Sequence, residues 1–156
     1  MKDITEFLKN FNFGSDTLKE YSDVDRLELL GIDDSSAEEI KKLEFKKVNF
    51  DENDYEETIE FKIIQLDTLV GINRNDNVCN WIELLFSLHK KRNFDIFNRD
   101  SFEKYVKNLD KNCDDLPHVL HNDEKYFIDR NGKHRLTFAK CIGLKYFPAI
   151  VTYLKK

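Results

Sequence analysis

The sequence predicts an α+β fold in which a mixed sheet is flanked by helices. The first observation is a change of pattern: residues 1–57 show the spacing of short amphipathic helices, whereas residues 58–69 (TIEFKIIQLDTL) alternate and are rich in β-branched and aromatic side chains. The second is the order of the later elements, which read as two helices, a hairpin, a helix and a last strand. This order favours α+β or mixed α/β, and 156 residues suffice for one core.

In the N-terminal part, the sequence predicts an acidic helical extension over 1–57 that consists of three short helices and a linker. The first helix carries apolar residues at helical spacing from Ile4 to Phe11, and the second ends at Gly31. Ser36 followed by Glu39 has the spacing of a capping box and predicts the start of the third. Residues 51–57 (DENDYEE) lack the glycine and ligand spacing of a calcium loop, so we expect a solvated acidic linker.

The rest of the chain, 58–156, is predicted to form the main domain. After the strand over 58–69 we expect a turn (VGINRND), a buried helix over 78–92, and a helix over 100–112 capped by Asp100. The segments HVLH and YFID flank the turn NDEK and predict a hairpin. A helix over 132–142 with a glycine stop at Gly143, followed by the strand YFPAIVTYL, completes the domain.

Charge is distributed unevenly along the chain. Residues 121–156 hold eight Lys/Arg against three Asp/Glu, whereas residues 1–120 hold 17 against 27. An acidic front part repels a nucleic-acid backbone, so broad DNA binding is disfavoured, while the basic tail can attract a small anion. No apolar run approaches the roughly 18 residues that span a bilayer, and no secretory signal is visible, so we expect a soluble, cytoplasmic protein with no membrane partner.

The cysteines and two of the histidines give no sign of a metal or thiol site. Cys79, Cys113 and Cys141 are odd in number and show no C-x-x-C spacing, so each is expected to be a small buried hydrophobe, and Cys141 is not expected to be a nucleophile. His118 and His121 are three apart in a predicted strand, so their side chains should face opposite sides. We therefore expect them not to share a metal ion.

The functional signal lies in the turn DRNGKHRL. If Asn131 caps the following helix, the amides of Gly132, Lys133 and His134 have no intrahelical partner and form an anion site. Arg135 adds a guanidinium that can hold two phosphate oxygens. Cations in a first helical turn cost stability unless an anion offsets them. The alternative is internal, with Asp129 or an acidic residue of the front half pairing with Arg135.

The run LPHVLHNDEKYFIDRNGKHRLTFAKCIGLKYFPAIV, together with FKIIQLDTLVGINRND upstream, resembles the core of the ParB N-terminal/sulfiredoxin-like superfamily, also described as the ParB-like nuclease domain. The resemblance covers roughly residues 59–74 and 116–152. It implies a ParB/sulfiredoxin-like sheet, with residues of about 75–115 as a helical insertion, as a stand-alone core without the helix-turn-helix of partition proteins.

The resemblance also implies site residues. Gly132, Lys133, His134 and Arg135 would cradle phosphate, with Asn131 and Arg74 as further contacts, and His134 and Arg135 would be the catalytic pair. Lys133 stands where sulfiredoxin needs its cysteine, and an amine cannot replace a thiolate as the sulfur nucleophile. Sulfiredoxin activity is therefore rejected.

Three functions remain open. The first is binding of a phosphate or nucleotide, with phosphotransfer or hydrolysis and with Mg²⁺ held by an acid such as Glu56, Glu57 or Glu60. The second is a ParB-like nuclease or nucleic-acid-associated protein in which His134 is the acid or base. The third is a non-catalytic adaptor whose acidic N-terminal helices bind a protein partner while the basic turn is structural.

Overall fold

The computed structural model describes residues 21–74, 76–88 and 97–155. Over these residues five helices and a six-stranded mixed sheet confirm the predicted α+β class. The helix predicted from Ile4 to Phe11 lies outside the described residues. The helices are α1 (Asp23–Leu29), α2 (Asp34–Lys41), α3 (Trp81–Ser87), α4 (Arg99–Lys107) and α5 (Lys133–Cys141); the strands are β1 (Lys46–Lys47), β2 (Tyr55–Gln65), β3 (Leu69–Ile72), β4 (His118–Asn122), β5 (Lys125–Ile128) and β6 (Tyr146–Leu154).

The sheet has the strand order β1-β3-β5-β4-β6-β2. The pairs β1–β3, β3–β5 and β4–β6 are parallel, and the pairs β4–β5 and β2–β6 are antiparallel. The two residues of the β4–β5 turn, Asp123 and Glu124, both have positive φ, of 52° and 63°. Such angles match a two-residue hairpin turn whose twist fits its strands, so the hairpin predicted from NDEK is confirmed.

Helix boundaries follow local capping, with two corrections to the sequence-based expectation. Asp33, rather than Ser36, caps α2, since its carboxylate accepts the Ser36 amide. Asn98, rather than Asp100, caps α4 and shares a capping box with Ser101. Both predictions placed the cap a few residues too far along the chain, because several good capping residues follow one another at each helix start.

The main core lies between the helices and one face of the sheet. Trp81, Phe102, Phe138 and Phe147 have no exposed surface there. Burying an aromatic side chain of this size contributes about 2–3 kcal/mol relative to exposure, so these residues anchor α3, α4 and α5 on the sheet. The same apolar cluster includes Ala37 and Ile40 of α2 and Leu30, which directly follows α1.

Among the residues that the structure describes, the second face of the sheet is covered by extended chain rather than by helices. Val70, Leu120 and Phe127 form a small apolar cluster there, and Val48, Phe50 and Tyr55 pack on it. The chain therefore passes over this face between β1 and β2, which lie at opposite edges. The linker expected over 51–57 is instead a 3₁₀ turn at Glu52–Asp54 followed by the start of β2.

The C-terminal elements agree closely with their predictions. Helix α5 ends in a Schellman motif, in which the Gly143 amide donates to the Lys140 carbonyl and the Leu144 amide donates to the Ala139 carbonyl. Gly143 supplies the required positive φ of 77°. Strand β3 is a correction, because three of its four buried residues, Val70, Gly71 and Ile72, were expected in a turn.

The exposure of the cysteines only partly matches the expectation. Cys141 is buried, and burial raises the pKa of its thiol to about 12, which makes it a poor nucleophile. Cys79 is exposed and Cys113 is partly exposed, so the prediction that both are buried is wrong. Within the described part of the chain, no helix has the length and apolar character that a bilayer span requires.

Candidate functional site

Two adjacent parallel strands end beside each other and deliver polar residues to one place. Strand β3 is followed by Asn73 and Arg74, and β5 is followed by Asp129 and Arg130. The Arg74 guanidinium donates to the carbonyl oxygens of Asp129 (3.0 Å) and Arg130 (3.2 Å), which ties the two strand ends together. The carboxyl ends of parallel strands are where ligands bind in many α/β sheets, so this edge is the first place to look for a site.

Asp129 is the most buried acidic side chain of this edge, with 5% of its surface exposed. Its Oδ1 accepts from the Tyr55 hydroxyl at 3.0 Å and from Asn73 Nδ2 at 3.1 Å. Its Oδ2 is buried and has no hydrogen bond to any described residue, while Arg130 Nε lies 3.6 Å from it. Burial and the neighbouring Asp129 charge raise the pKa of the Tyr55 phenol, so Tyr55 stays a proton donor to the carboxylate.

His118 lies across the β4–β5 pair from Asp129, whose amide donates to the His118 carbonyl. Cross-strand partners share a face of the sheet, so both side chains project to the same side. His118 Nδ1 is buried and has no hydrogen-bond partner in the part of the chain that the structure describes. Burial, and then the charge of Arg130, lower the pKa of His118, so the ring is neutral at pH 7. Two buried polar atoms without hydrogen bonds to described residues therefore belong to neighbouring residues on one face of the sheet.

The start of α5 follows at once and differs from the predicted cap. Gly132, not Asn131, occupies the cap position with φ 91°, and no side chain caps the helix. A Cβ on Gly132 would lie 2.2 Å from Pro117 Cβ, so only glycine fits this approach. Asn131 Nδ2 instead donates to Asp115 Oδ1 at 2.9 Å. The amides of Lys133 and Arg135 donate to no acceptor in the part of the chain that the structure describes.

The cations of this turn are paired with the chain's own acids. The Arg135 guanidinium donates to the Asp115 carbonyl and to the Tyr105 hydroxyl, and its Nη2 lies 3.5 Å from Asp115 Oδ1. Lys133 Nζ lies 3.0 Å from Asp76 Oδ2. The internal alternative is therefore the arrangement the structure shows for both side chains.

The two ion pairs differ in how firmly they are held. The side chain of Asp115 is 81% exposed, whereas that of Arg135 is 11% exposed. Lys133 and Asp76 are both mostly buried, with 12% and 24% exposed. Exposed ion pairs contribute about 1 kcal/mol or less, so Asp115 holds Arg135 weakly through its carboxylate.

The remaining predicted site residues are placed as follows. The His134 side chain is buried within α5, where 8% of the residue is exposed. Of the acids considered for Mg²⁺, Glu60 accepts from the Tyr153 hydroxyl at 2.7 Å, and Glu56 lines a separate cavity beside His121. Glu57 is an exposed residue of β2. The carboxylates that do contact Lys133 and Arg135 are Asp76 and Asp115.

Sequence reasoning missed four residues of this cluster, namely Tyr55, Asp76, Asp115 and the buried role of Asp129. Tyr55 lay in the segment read as a linker, and its hydroxyl crosses the sheet to reach Asp129. One usable signal was present, since Asp129 directly follows an apolar strand and precedes a glycine turn. No residue spacing could show that Asp76 and Asp115 meet α5, because those contacts are long-range.

No protein-family model matches this chain, and neither curated proteins nor solved structures gave a significant match. The resemblance to the ParB N-terminal/sulfiredoxin-like superfamily therefore stays an expectation from the quoted residues.

Proposed function

We propose that this chain binds a phosphate-bearing ligand, foremost a nucleotide, at the start of α5, as a cytoplasmic ParB-like protein. One observation carries the proposal. Four cationic side chains either belong to the residues around a helix start with a left-handed glycine or donate to the backbone just before it, and the Lys133 and Arg135 amides have no acceptor among the described residues; the cations are Arg74, Arg130, Lys133 and Arg135. Such a start attracts anions through its amides and its dipole, and a guanidinium can grip two phosphate oxygens.

The ligand would compete with the chain's own carboxylates. Asp115 is the replaceable one, because its side chain is exposed and its contact with Arg135 is 3.5 Å long. A phosphate carries more charge than a carboxylate and could accept from the Arg135 fork and the free amides together. Release of the Asp115 carboxylate into water would give up this exposed ion pair, worth about 1 kcal/mol or less, together with its exposed hydrogen bond from Asn131.

A divalent cation fits the proposal only as a companion of the nucleotide. Within the described ranges no group of three His, Cys, Asp or Glu side chains could hold a metal ion. Mg²⁺ commonly binds one or two carboxylates together with substrate phosphates and water. The candidate here is Asp76, in place of the glutamates of β2, since Asp115 would be displaced by the ligand. For phosphotransfer or hydrolysis, Asp129 joins His134 as a candidate acid or base.

A second function is favoured by the same ion pairs. If the pairing of Arg135 with Asp115 is the final state, the turn is structural and the protein is a non-catalytic interaction module. Since Asp115 neutralises Arg135 without any ligand, the internal ion pairs support an interaction module as directly as the Lys133 and Arg135 amides, which have no acceptor among the described residues, support phosphate binding. Nucleotide binding separates the two.

The test is thermal unfolding of the full chain with ATP, ADP, CTP or pyrophosphate, each with and without Mg²⁺. A ligand at 100 times its Kd stabilises the folded state by about 2.7 kcal/mol, which raises the Tm of a chain of this size by about 5–11 °C. Arg135→Lys should reduce the shift, since it removes the fork but keeps the charge. Lys104→Ala, on the exposed side of α4, is the control that should keep it. Absence of any shift at millimolar ligand would favour the interaction module.

A further inference from the structure

Strand β2 forms one edge of the sheet, and no strand among residues 21–74, 76–88 and 97–155 pairs with its outer side. Its register shifts between Tyr55 and Ile59 and is regular from Ile59 to Gln65. A regular edge strand offers a row of amide and carbonyl groups to another strand. The regular part of β2 is therefore a template for pairing.

The side chains of this edge follow a strict alternation. Ile64 is buried opposite Phe147 on the helix side of the sheet, so Glu60 and Lys62 project to that same side. The apolar side chains Ile59, Phe61 and Ile63 project to the other side. Ile59 and Ile63 are 53% and 59% exposed, which makes them two of the most exposed large apolar residues described.

We propose that β2 pairs antiparallel with β2 of a second copy of this chain, with Phe61 opposite Phe61. A twofold contact of this kind requires that the strand complement itself. In this register Glu60 of each copy stands opposite Lys62 of the other, and Ile59 stands opposite Ile63. Opposite charges then share one face and apolar side chains share the other.

Neighbouring registers fail on charge. A change of register that keeps apolar side chains opposite apolar side chains on the same face of the sheet moves the twofold axis by one residue along β2. Centring on Glu60 places two glutamates opposite each other, and centring on Lys62 places two lysines opposite each other. The segment IEFKI is therefore self-complementary when two copies pair about Phe61, whereas pairing about Glu60 or Lys62 places like charges opposite each other. This self-complementarity favours a second copy of the chain over an unrelated partner.

The sequence offers a charge-exchange test. The mass of the full chain should rise from 18.6 kDa toward twice that value with concentration, as measured by sedimentation equilibrium. Lys62→Glu should raise the Kd of the dimer at least about tenfold, because both ion pairs become repulsive. Glu60→Lys should do the same, and the double variant Glu60→Lys/Lys62→Glu should return the Kd to within about threefold of the original, since it restores both pairs in reversed sense.

Two controls separate this contact from general charge and folding effects. Lys104→Glu changes the same charge on α4 and should leave the Kd unchanged. Tyr153→Phe removes the hydrogen bond to Glu60 without altering the outer edge and should also leave it unchanged. The proposal would be overturned if the chain stays monomeric at several hundred micromolar. This holds also if other segments of the same chain cover the outer edge of β2. A double variant as weak as the single ones would overturn it too.

Discussion

Replacing Gly132 by alanine tests the geometry on which the site depends. Gly132 has φ 91°, and alanine in the left-handed region costs about 1–2 kcal/mol. The added Cβ would also lie 2.2 Å from Pro117 Cβ and 2.7 Å from Pro117 Cα, an overlap that the backbone must relieve. Overpacking of this kind costs about 1–3 kcal/mol, so the total loss is about 2–5 kcal/mol.

Gly143 is the matched control. It has φ 77°, but a Cβ there would meet nothing within 4 Å. Gly143→Ala should therefore lose only the backbone part, about 1–2 kcal/mol. Urea unfolding of both variants gives the two free energies, and their difference is the cost of the approach to Pro117.

A double variant isolates that approach. Pro117→Gly removes the Cβ that the new methyl group would meet, so Gly132→Ala should be less costly in this background than in the original chain. Equal losses for Gly132→Ala and Gly143→Ala, with no coupling to Pro117, would show that the start of α5 does not have the tight geometry described.

Two further predictions concern stability. Burial lowers the pKa values of His118 and His121 from 6.5 in the folded chain, so the unfolded chain binds protons at a higher pH than the folded chain does. The free energy of unfolding should therefore be greatest above pH 6.5 and should fall as the pH drops toward the folded pKa values. The double variant His118→Asn/His121→Asn should lose less between pH 7.5 and pH 5 by urea unfolding, and an unchanged loss would contradict this origin. Arg26, 7% exposed, donates to the Leu85 and Phe86 carbonyls at 2.7 Å, so Arg26→Met should cost about 1–3 kcal/mol by removing both of these charge-assisted hydrogen bonds, although the Leu85 carbonyl keeps the Leu88 amide as a donor. An unchanged Tm would contradict that account.

The parts of the fold that the sequence predicted well have strong local signals. The β4–β5 hairpin has a two-residue turn between alternating strands, α5 stops at a glycine with positive φ, and β6 spans the same residues as predicted. Strand β3 was missed because all four of its residues are buried. A fully buried strand shows no alternation, and its glycine then reads as a turn.

For the candidate site, the sequence indicated the turn and its cations but not the residues with which those cations pair. The glycine, the helix start and the cations were readable because they are adjacent in sequence. The partners were not, since Asp76 and Asp115 reach Lys133 and Arg135 from 57 and 20 residues away. Tyr55 reaches Asp129 from 74 residues away, across the sheet. Many acidic residues could have filled those roles, and only the topology selects among them.

The most direct measurement of the central claim is a calorimetric titration of ADP with Mg²⁺ into the original chain and into Asp115→Asn. The substitution keeps the Asp115 carbonyl that Arg135 contacts and an acceptor for Asn131, but removes the competing charge. If phosphate binds at the start of α5, Asp115→Asn should bind up to about fivefold more tightly, since about 1 kcal/mol of competition is released. Absence of binding by both proteins, with Asp115→Asn merely less stable, would show that the Arg135 pair is structural and that no phosphate binds there.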